Sequence, residues 1–397
     1  MLNTTFGNNS TGSDSFVTWP TFDEEVIASV VDVLRSGLVN YHGGSEGKNF
    51  EREYCELVGR KYAIAVTNGT VALDLALKCM GVGPGDEVIV PAIAWSTTYS
   101  PLQQYGLKLR FVDVELDTLN MDVRRLDEAL NAKTRMIVGV SILGNPAALD
   151  KMRKFAEQHG LIFFEDNCES MDAELGGQKT GSFGDISTFS TFFSHHISTI
   201  EGGVITTDDD ELNALARSIR THGWTRDLPD TLKLSERRDD DFYEAYRFIL
   251  PGYNVRPQEI NAAVGLEQLK KLPYMTDVRR RNWLTFSNLF KGDDRFIIQR
   301  ENGKSSCFSF TLILNPDKLI DRNKVLNALT EEGIGYRLIT GGCFPRHDVI
   351  QYFDFELVGE MTNGNVTHDN GFFVGNHPFD LTSQIERFHA IMDIAGN

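Results

Sequence analysis

The sequence predicts an α/β protein: a large, mostly parallel sheet covered by helices, followed by a smaller C-terminal α+β unit. Three observations predict it. Short apolar runs at 62–66, 87–90, 109–112, 136–140 and 161–164 are each long enough for one strand. Helix-patterned stretches such as 149–159 fall between them. Strands that are apolar throughout need cover on both faces, which a parallel sheet with crossover helices supplies. After about residue 260 the alternation gives way to a long helix-patterned stretch, then to mixed strands and helices.

Each element follows from local chemistry. The first ~17 residues are rich in Asn, Ser, Thr and Gly and are expected to be mobile. From Glu24 to Ser36, Val26, Ile27, Val30, Val31 and Leu34 recur at helical spacing, and Gly37 stands as a C-cap. The strand 62–66 runs into a turn, Asn68-Gly69-Thr70, and a helix over 71–79. The strand 87–90 stops at Pro91. The expected division is a large domain over 1–260, including the N-terminal segment, and a small one over 261–397.

Composition narrows the function. The net charge of −17 and pI near 5.0 disfavour nucleic acid and anionic membranes as nonspecific partners. Five cysteines, Cys55, Cys79, Cys168, Cys307 and Cys343, are scattered with no Cys-x-x-Cys pair, so no metal centre is expected. Met1 to Ser15 is polar without a leader pattern, and no apolar run reaches the ~18 residues of a membrane span. A cytoplasmic protein with reduced thiols is expected.

Three places carry candidate chemistry. The Asn68-Gly69-Thr70 turn opens a helix, whose free N–H groups and dipole suit a phosphate. Asp166 and Glu169 follow an apolar strand, where ligands of open α/β sheets sit. Trp95 follows another strand and offers a face for a flat ring. Taken singly, these read equally well as a capped helix, an N-cap acid and a packed aromatic.

Together they resemble a family. Gly69-Thr70, Trp95, Asp166, Ser190, His195 and Glu201-Gly202-Gly203 stand in the order and near the spacing of the DegT/DnrJ/EryC1/StrS sugar aminotransferases. Gly252-Tyr253-Asn254-Val255-Arg256-Pro257 is similar to that family's later Gly-x-Asn-x-Arg segment, and the likeness covers roughly residues 20 to 390. The resemblance implies an aspartate aminotransferase-like fold (pyridoxal phosphate fold type I) with a mostly parallel, seven-stranded type of sheet. It also implies pyridoxal 5′-phosphate (PLP) and its amine form, pyridoxamine 5′-phosphate (PMP), as cofactor.

The family holds PLP on a lysine six residues before the Glu-Gly-Gly turn; here that position is His195, and no lysine occurs between Lys179 and Lys233. The cofactor is therefore expected to be non-covalent, with His195 as general base and His196 as runner-up. By resemblance, Asn68, Gly69, Thr70, Trp95, Asp166, Glu169, Ser190, His195 and Asn254 contact the cofactor, Asp166 through the ring nitrogen. Asn254 would do so across a homodimer interface, and His222 and Arg337 would contact substrate.

A lysine-less subgroup of the family includes the enzyme that makes 8-amino-3,8-dideoxy-octulosonate for lipopolysaccharide and the GDP-4-keto-6-deoxymannose 3-dehydratases. The stretches 95–106, 165–170, 194–198 and 222–226 resemble the dehydratases, whereas the Thr67–Thr70 turn and the compact stretch to Asp86 have the aminotransferase form. The expectation is amino transfer from glutamate to a keto or aldehyde sugar, with 3-dehydration as the alternative. A non-catalytic scaffold that binds PLP or sugar is a further one.

Overall fold

The computed structural model describes residues 22–226, 228 and 234–396; the mobile N-terminal stretch expected from composition lies outside them. Helices α1 (Glu24–Ser36) and α2 (Glu46–Val58) lead into β1 (Tyr62–Val66), α3 (Gly69–Cys79), β2 (Glu87–Pro91), α4 (Ser96–Gln104) and β3 (Lys108–Val112). Then come α5 (Leu126–Ala129), β4 (Thr134–Val140), α6 (Leu149–His159) and β5 (Ile162–Asp166). A small hairpin of β6 (Glu174–Leu175) and β7 (Gln178–Lys179) precedes β8 (Ile186–Ser190), β9 (Gly203–Thr207), α7 (Asp210–Arg220) and α8 (Asp241–Glu244). The chain ends with α9 (Glu259–Phe290), β10 (Phe296–Ile298), β11 (Ser309–Leu314), α10 (Arg322–Glu331), β12 (Phe355–Leu357), α11 (Thr362–Asn370), β13 (Gly371–Gly375) and α12 (Thr382–Ala395).

The main sheet has eight strands in the order β1-β9-β8-β5-β4-β2-β3-β12. Only β9 runs antiparallel to its neighbours, β1 and β8. Successive side chains serve opposite faces, as the pleat requires. Val88 and Val90 pack with α3 and α4, while Ile89 joins Ile137, Phe163 and α6 on the other side. The eighth strand comes from the C-terminal third: Phe355–Leu357 pairs in parallel with β3. Cys343, Phe344 and Met361 also join the main core, so the chain after 261 does not stay in a unit of its own.

The second core is conventional. Strands β10, β11 and β13 form an antiparallel sheet under α10, α12 and the end of α9, with Phe286, Phe310, Phe372 and Phe388 buried between them. Among the described residues no helix is long and apolar enough to cross a membrane.

The sheet's direction sets the site. Val66, Pro91, Val140, Asp166 and Ser190 end their strands along one edge, and Gly203 pairs there with both Val66 and Ser190. Helices that follow these strands begin at that edge with their positive ends.

Candidate active site at the carboxyl edge of the sheet

The turn after β1 is built for an anion. Asn68 caps α3, its Oδ1 accepting the Val71 N–H at 2.9 Å. The first amides of the helix, at Gly69 and Thr70, have no acceptor within the helix. Gly69 is required by closeness: a Cβ there would lie 2.8 Å from the Ser190 Cβ. Gly203 is equally constrained, since its Cβ would lie 2.4 Å from the Asn68 carbonyl oxygen. Two glycines thus bring Asn68, Gly69, Thr70 and Ser190 to one point. The Thr67 N–H donates to the Val255 carbonyl at 3.1 Å, which brings the 252–257 segment beside the turn. Asn254 within it is exposed.

That segment is held from below by a buried ion cluster. Arg220, fully buried, donates to Glu51 Oε1 at 2.6 Å and to the Ala65 carbonyl at 2.7 Å. Its own carbonyl accepts the Val255 N–H. Burial pushes the Glu51 carboxyl up, but Arg217 and Arg220 outweigh it and hold the pKa below the usual range.

Asp166 ends β5 with 4% exposure. Its oxygens accept from the Thr98 hydroxyl at 2.7 Å and the Cys168 N–H at 3.1 Å. No cation pairs with it among the described residues. A buried carboxylate without a positive partner is costly, and a protonated ring nitrogen supplies that partner. The neighbouring Glu165 does structural work instead: it accepts from the N–H groups of Gly181, Phe183 and Gly184 and clamps the loop before β8 onto β5. Trp95, at the N-cap of α4, is 59% exposed at the same edge.

The two histidines differ sharply. His195 is half-buried, and its Nδ1–H donates to the Cys168 carbonyl at 2.5 Å, next to Asp166. A carbonyl only accepts, so the basic lone pair belongs to Nε2. His196 is buried; its Nε2–H donates to the Ser306 carbonyl at 3.2 Å, and its Nδ1 is sealed without a partner. A sealed lone pair cannot reach a substrate proton. Burial pushes the His195 pKa down to about 4, against the Cys168 hydrogen bond, and the charge of Arg279 lowers it further. His195 is therefore neutral, and a proton acceptor, at pH 7.

Glu169 lies on the same turn. Its Oε2 accepts the Leu143 N–H at 2.9 Å, and burial is the main cause that raises its pKa to about 7. Leu143, Cys307 and Thr340 around this region have positive φ values of 53°, 51° and 40°. Each such non-glycine residue costs on the order of 1–3 kcal/mol, a strain that gathers at functional sites.

The structure therefore brings Asn68, Gly69, Thr70 and Ser190 together, and Asp166, Glu169 and His195 together. His222 is exposed with φ 60°, its N–H donating to the Tyr253 carbonyl. Arg337 is exposed, its backbone bridged to Phe373, and its guanidinium makes no hydrogen bond or ion pair among the described residues. Sequence reasoning missed Thr98, the Cys168 carbonyl and Phe308, whose ring lies 5.5 Å from that of His195. A cleft of about 290 Å³ opens beside the turn, lined by Thr67, Thr191, Glu201, Gly203 and Asn261 rather than by the proton-handling groups. Among the described residues no cluster of His, Cys, Asp and Glu is arranged for a metal ion.

An anion cradle, an unpaired buried carboxylate, an exposed indole and a neutral imidazole fit a phosphorylated pyridine. With the sheet order, they define an enzyme of the aspartate aminotransferase-like fold. The chain belongs to the DegT/DnrJ/EryC1/StrS aminotransferase family, whose model matches residues 20–368. It is 43% identical over 380 residues to GDP-4-keto-6-deoxy-D-mannose 3-dehydratase of Yersinia pseudotuberculosis, covering 94% of this chain and 96% of the relative. The structure of the E. coli GDP-4-keto-6-deoxy-D-mannose-3-dehydratase with bound hydrated PLP superposes with a TM-score of 0.91 at 40% identity, over 94% of this chain and 99% of that one. A GDP-4-keto-6-deoxymannose-3-dehydratase with a trapped PLP-glutamate geminal diamine gives the same TM-score and identity, over 94% of this chain and 98% of that one.

Proposed function

We propose that this PLP-dependent enzyme removes the 3-hydroxyl of GDP-4-keto-6-deoxymannose, using glutamate as the source of nitrogen. The observation that carries the reading is His195. It stands at the family's lysine position with a free, neutral Nε2, in a chain that is similar to two 3-dehydratases over nearly their whole length. The expected amino transfer to an octulosonate gives way to the alternative. The Thr67–Thr70 turn favoured amino transfer, but it is outweighed by the 3-dehydratases that this chain matches over nearly its whole length.

Bound PLP supplies an electron sink for the electron pair left when a C–H proton departs. The protein does the rest. Asn68, Gly69, Thr70 and Ser190 would hold the phosphate, and Trp95 would offer a face to the ring. Asp166, aimed by Thr98 and the Cys168 N–H, would keep the ring nitrogen protonated. His195 would take the proton from glutamate's α-carbon at Nε2 and hold it for return, and would take a proton again in the sugar half. No lysine competes for the cofactor. Asn254, exposed beside that turn, would serve a partner subunit's site in a homodimer.

The test is the fate of ¹⁵N from glutamate with PLP and GDP-4-keto-6-deoxymannose. Dehydration predicts labelled ammonia and a 3-deoxy keto sugar by mass spectrometry. Label retained in the sugar would establish amino transfer instead, and no PMP from glutamate would establish a scaffold.

A further inference from the structure

We propose that Phe308 is a positioning residue: its ring fixes the plane of the His195 imidazole and so ties proton transfer at the sheet edge to the segment that leads into β11. The proposal rests on His195 being the base of the reaction proposed above.

A single hydrogen bond does not hold a ring in one plane. The Nδ1–H of His195 donates to the Cys168 carbonyl. With the bond from Cβ, that leaves the imidazole free to tilt about the line joining Cβ and Nδ1. The lone pair on Nε2 moves with the tilt and leaves the direction of its target. The ring of Phe308 lies 5.5 Å from that of His195, inclined at 56°, within the range in which aromatic rings attract one another. It meets the His196 ring at the same distance and inclination. Phe192 approaches His195 edge-on at 6.2 Å, but it belongs to the same turn and moves with it. Phe308 comes from a distant part of the chain and can hold the turn from outside.

The segment that carries Phe308 is anchored at every residue. The Ser305 hydroxyl and the Ser306 N–H both donate to the Gly144 carbonyl at 2.9 Å, and the Phe308 N–H donates to the Leu143 carbonyl at 3.2 Å. Gly144 is required by closeness: its Cβ would lie 2.8 Å from the amide nitrogens of Cys307 and Phe308. The Ser306 carbonyl accepts from His196 Nε2, so the segment grips both histidines. Cys307, buried with φ 51°, has its carbonyl bonded by Asn376 Nδ2, which also donates to the Arg279 carbonyl of α9. A non-glycine residue held at positive φ by such contacts marks a place where geometry outranks local preference. Here the turn at Cys307 sets the Phe308 backbone on Leu143 and its ring on the histidines. Phe308 is half-buried and also packs against the cluster of Ile142, Leu143 and Ile339. The ring is wedged between that cluster and the histidine turn.

The test is a double-mutant cycle on single-turnover conversion of PLP to PMP at saturating glutamate. Phe308→Ala should bind PLP within a few-fold of wild type and react ~10–10²-fold more slowly, the scale of a misplaced catalytic group. Phe308→Tyr, which keeps the ring, should restore the rate, whereas Phe308→Leu fills space without a flat face and should stay slow. In a His195→Asn background, Phe308→Ala should cause no further loss, because two residues acting through one interaction are not additive. General damage to the fold would slow both backgrounds by the same factor. That additive result, or a Phe308→Ala rate within a few-fold of wild type, would overturn the proposal. Should Phe308→Ala not fold, Phe308→Leu carries the cycle with the same outcomes. A His195→Asn enzyme as fast as wild type removes the base itself and Phe308 with it. A slow His195→Asn with additive losses overturns the positioning role alone.

Discussion

The carboxyl edge of the main sheet and the small-domain core are built by opposite rules. Under α10 and α12, large apolar side chains fill space in ordinary elements: Phe286 and Phe310 stack at 4.9 Å, with Phe372 and Phe388 beside them. At the sheet edge, a carboxylate is buried without a cation among the described residues, a histidine is held neutral, and non-glycine residues such as Leu143, Cys307 and Thr340 have positive φ. The first region gains stability wherever local preference and packing agree. The second gives some of it up to keep proton-handling groups in unfavourable states. Sites where local rules fail while the surroundings hold them in place mark function.

Substitutions should separate the two regions. Phe310→Ala removes a fully buried ring from the second core. It should cost about 3–5 kcal/mol of stability. Urea unfolding should show an earlier midpoint at unchanged slope, while the glutamate half reaction per folded molecule stays as in wild type. A large loss of that rate would mean that the two regions are coupled.

Thr98→Val should do the reverse, with a smaller effect. It removes the hydroxyl that donates to Asp166 and preserves shape. A hydrogen bond to a charged group contributes about 1.5–3 kcal/mol. The loss should appear as weaker PLP binding and slower conversion to PMP, followed by absorbance, with little shift in the unfolding midpoint. Unchanged cofactor behaviour would remove Thr98 from the aiming of Asp166.

The same contrast decides what was legible in the sequence. Helices α1 and α6 were readable to their ends, because apolar periodicity and C-cap glycines at Gly37 and Gly160 mark them. The apolar strands β1 to β5 were readable too. Strands β8 and β9 were not, because Ser187, Thr188, Thr206 and Thr207 make fully buried strands look polar. The short edge strand β12 carried no signal of its partner, β3. In the site, side chains in family motifs were legible, whereas the Cys168 carbonyl acts through its backbone. Thr98 and Phe308 reach the site from other elements. The positive φ values of Leu143, Cys307 and Thr340 run against residue preference and are imposed by tertiary contacts.

The central claim is that a neutral His195, standing where the family keeps its lysine, is the proton carrier. The direct measurement is single-turnover conversion of PLP to PMP by glutamate at pH 7 in His195→Asn and His196→Asn, followed by absorbance. Asparagine retains hydrogen bonding but accepts no proton. His195→Asn should bind PLP yet react ~10²–10⁴-fold more slowly, and His196→Asn should lose far less, because its lone pair is sealed from the site. A dead His196→Asn beside an active His195→Asn would contradict the account.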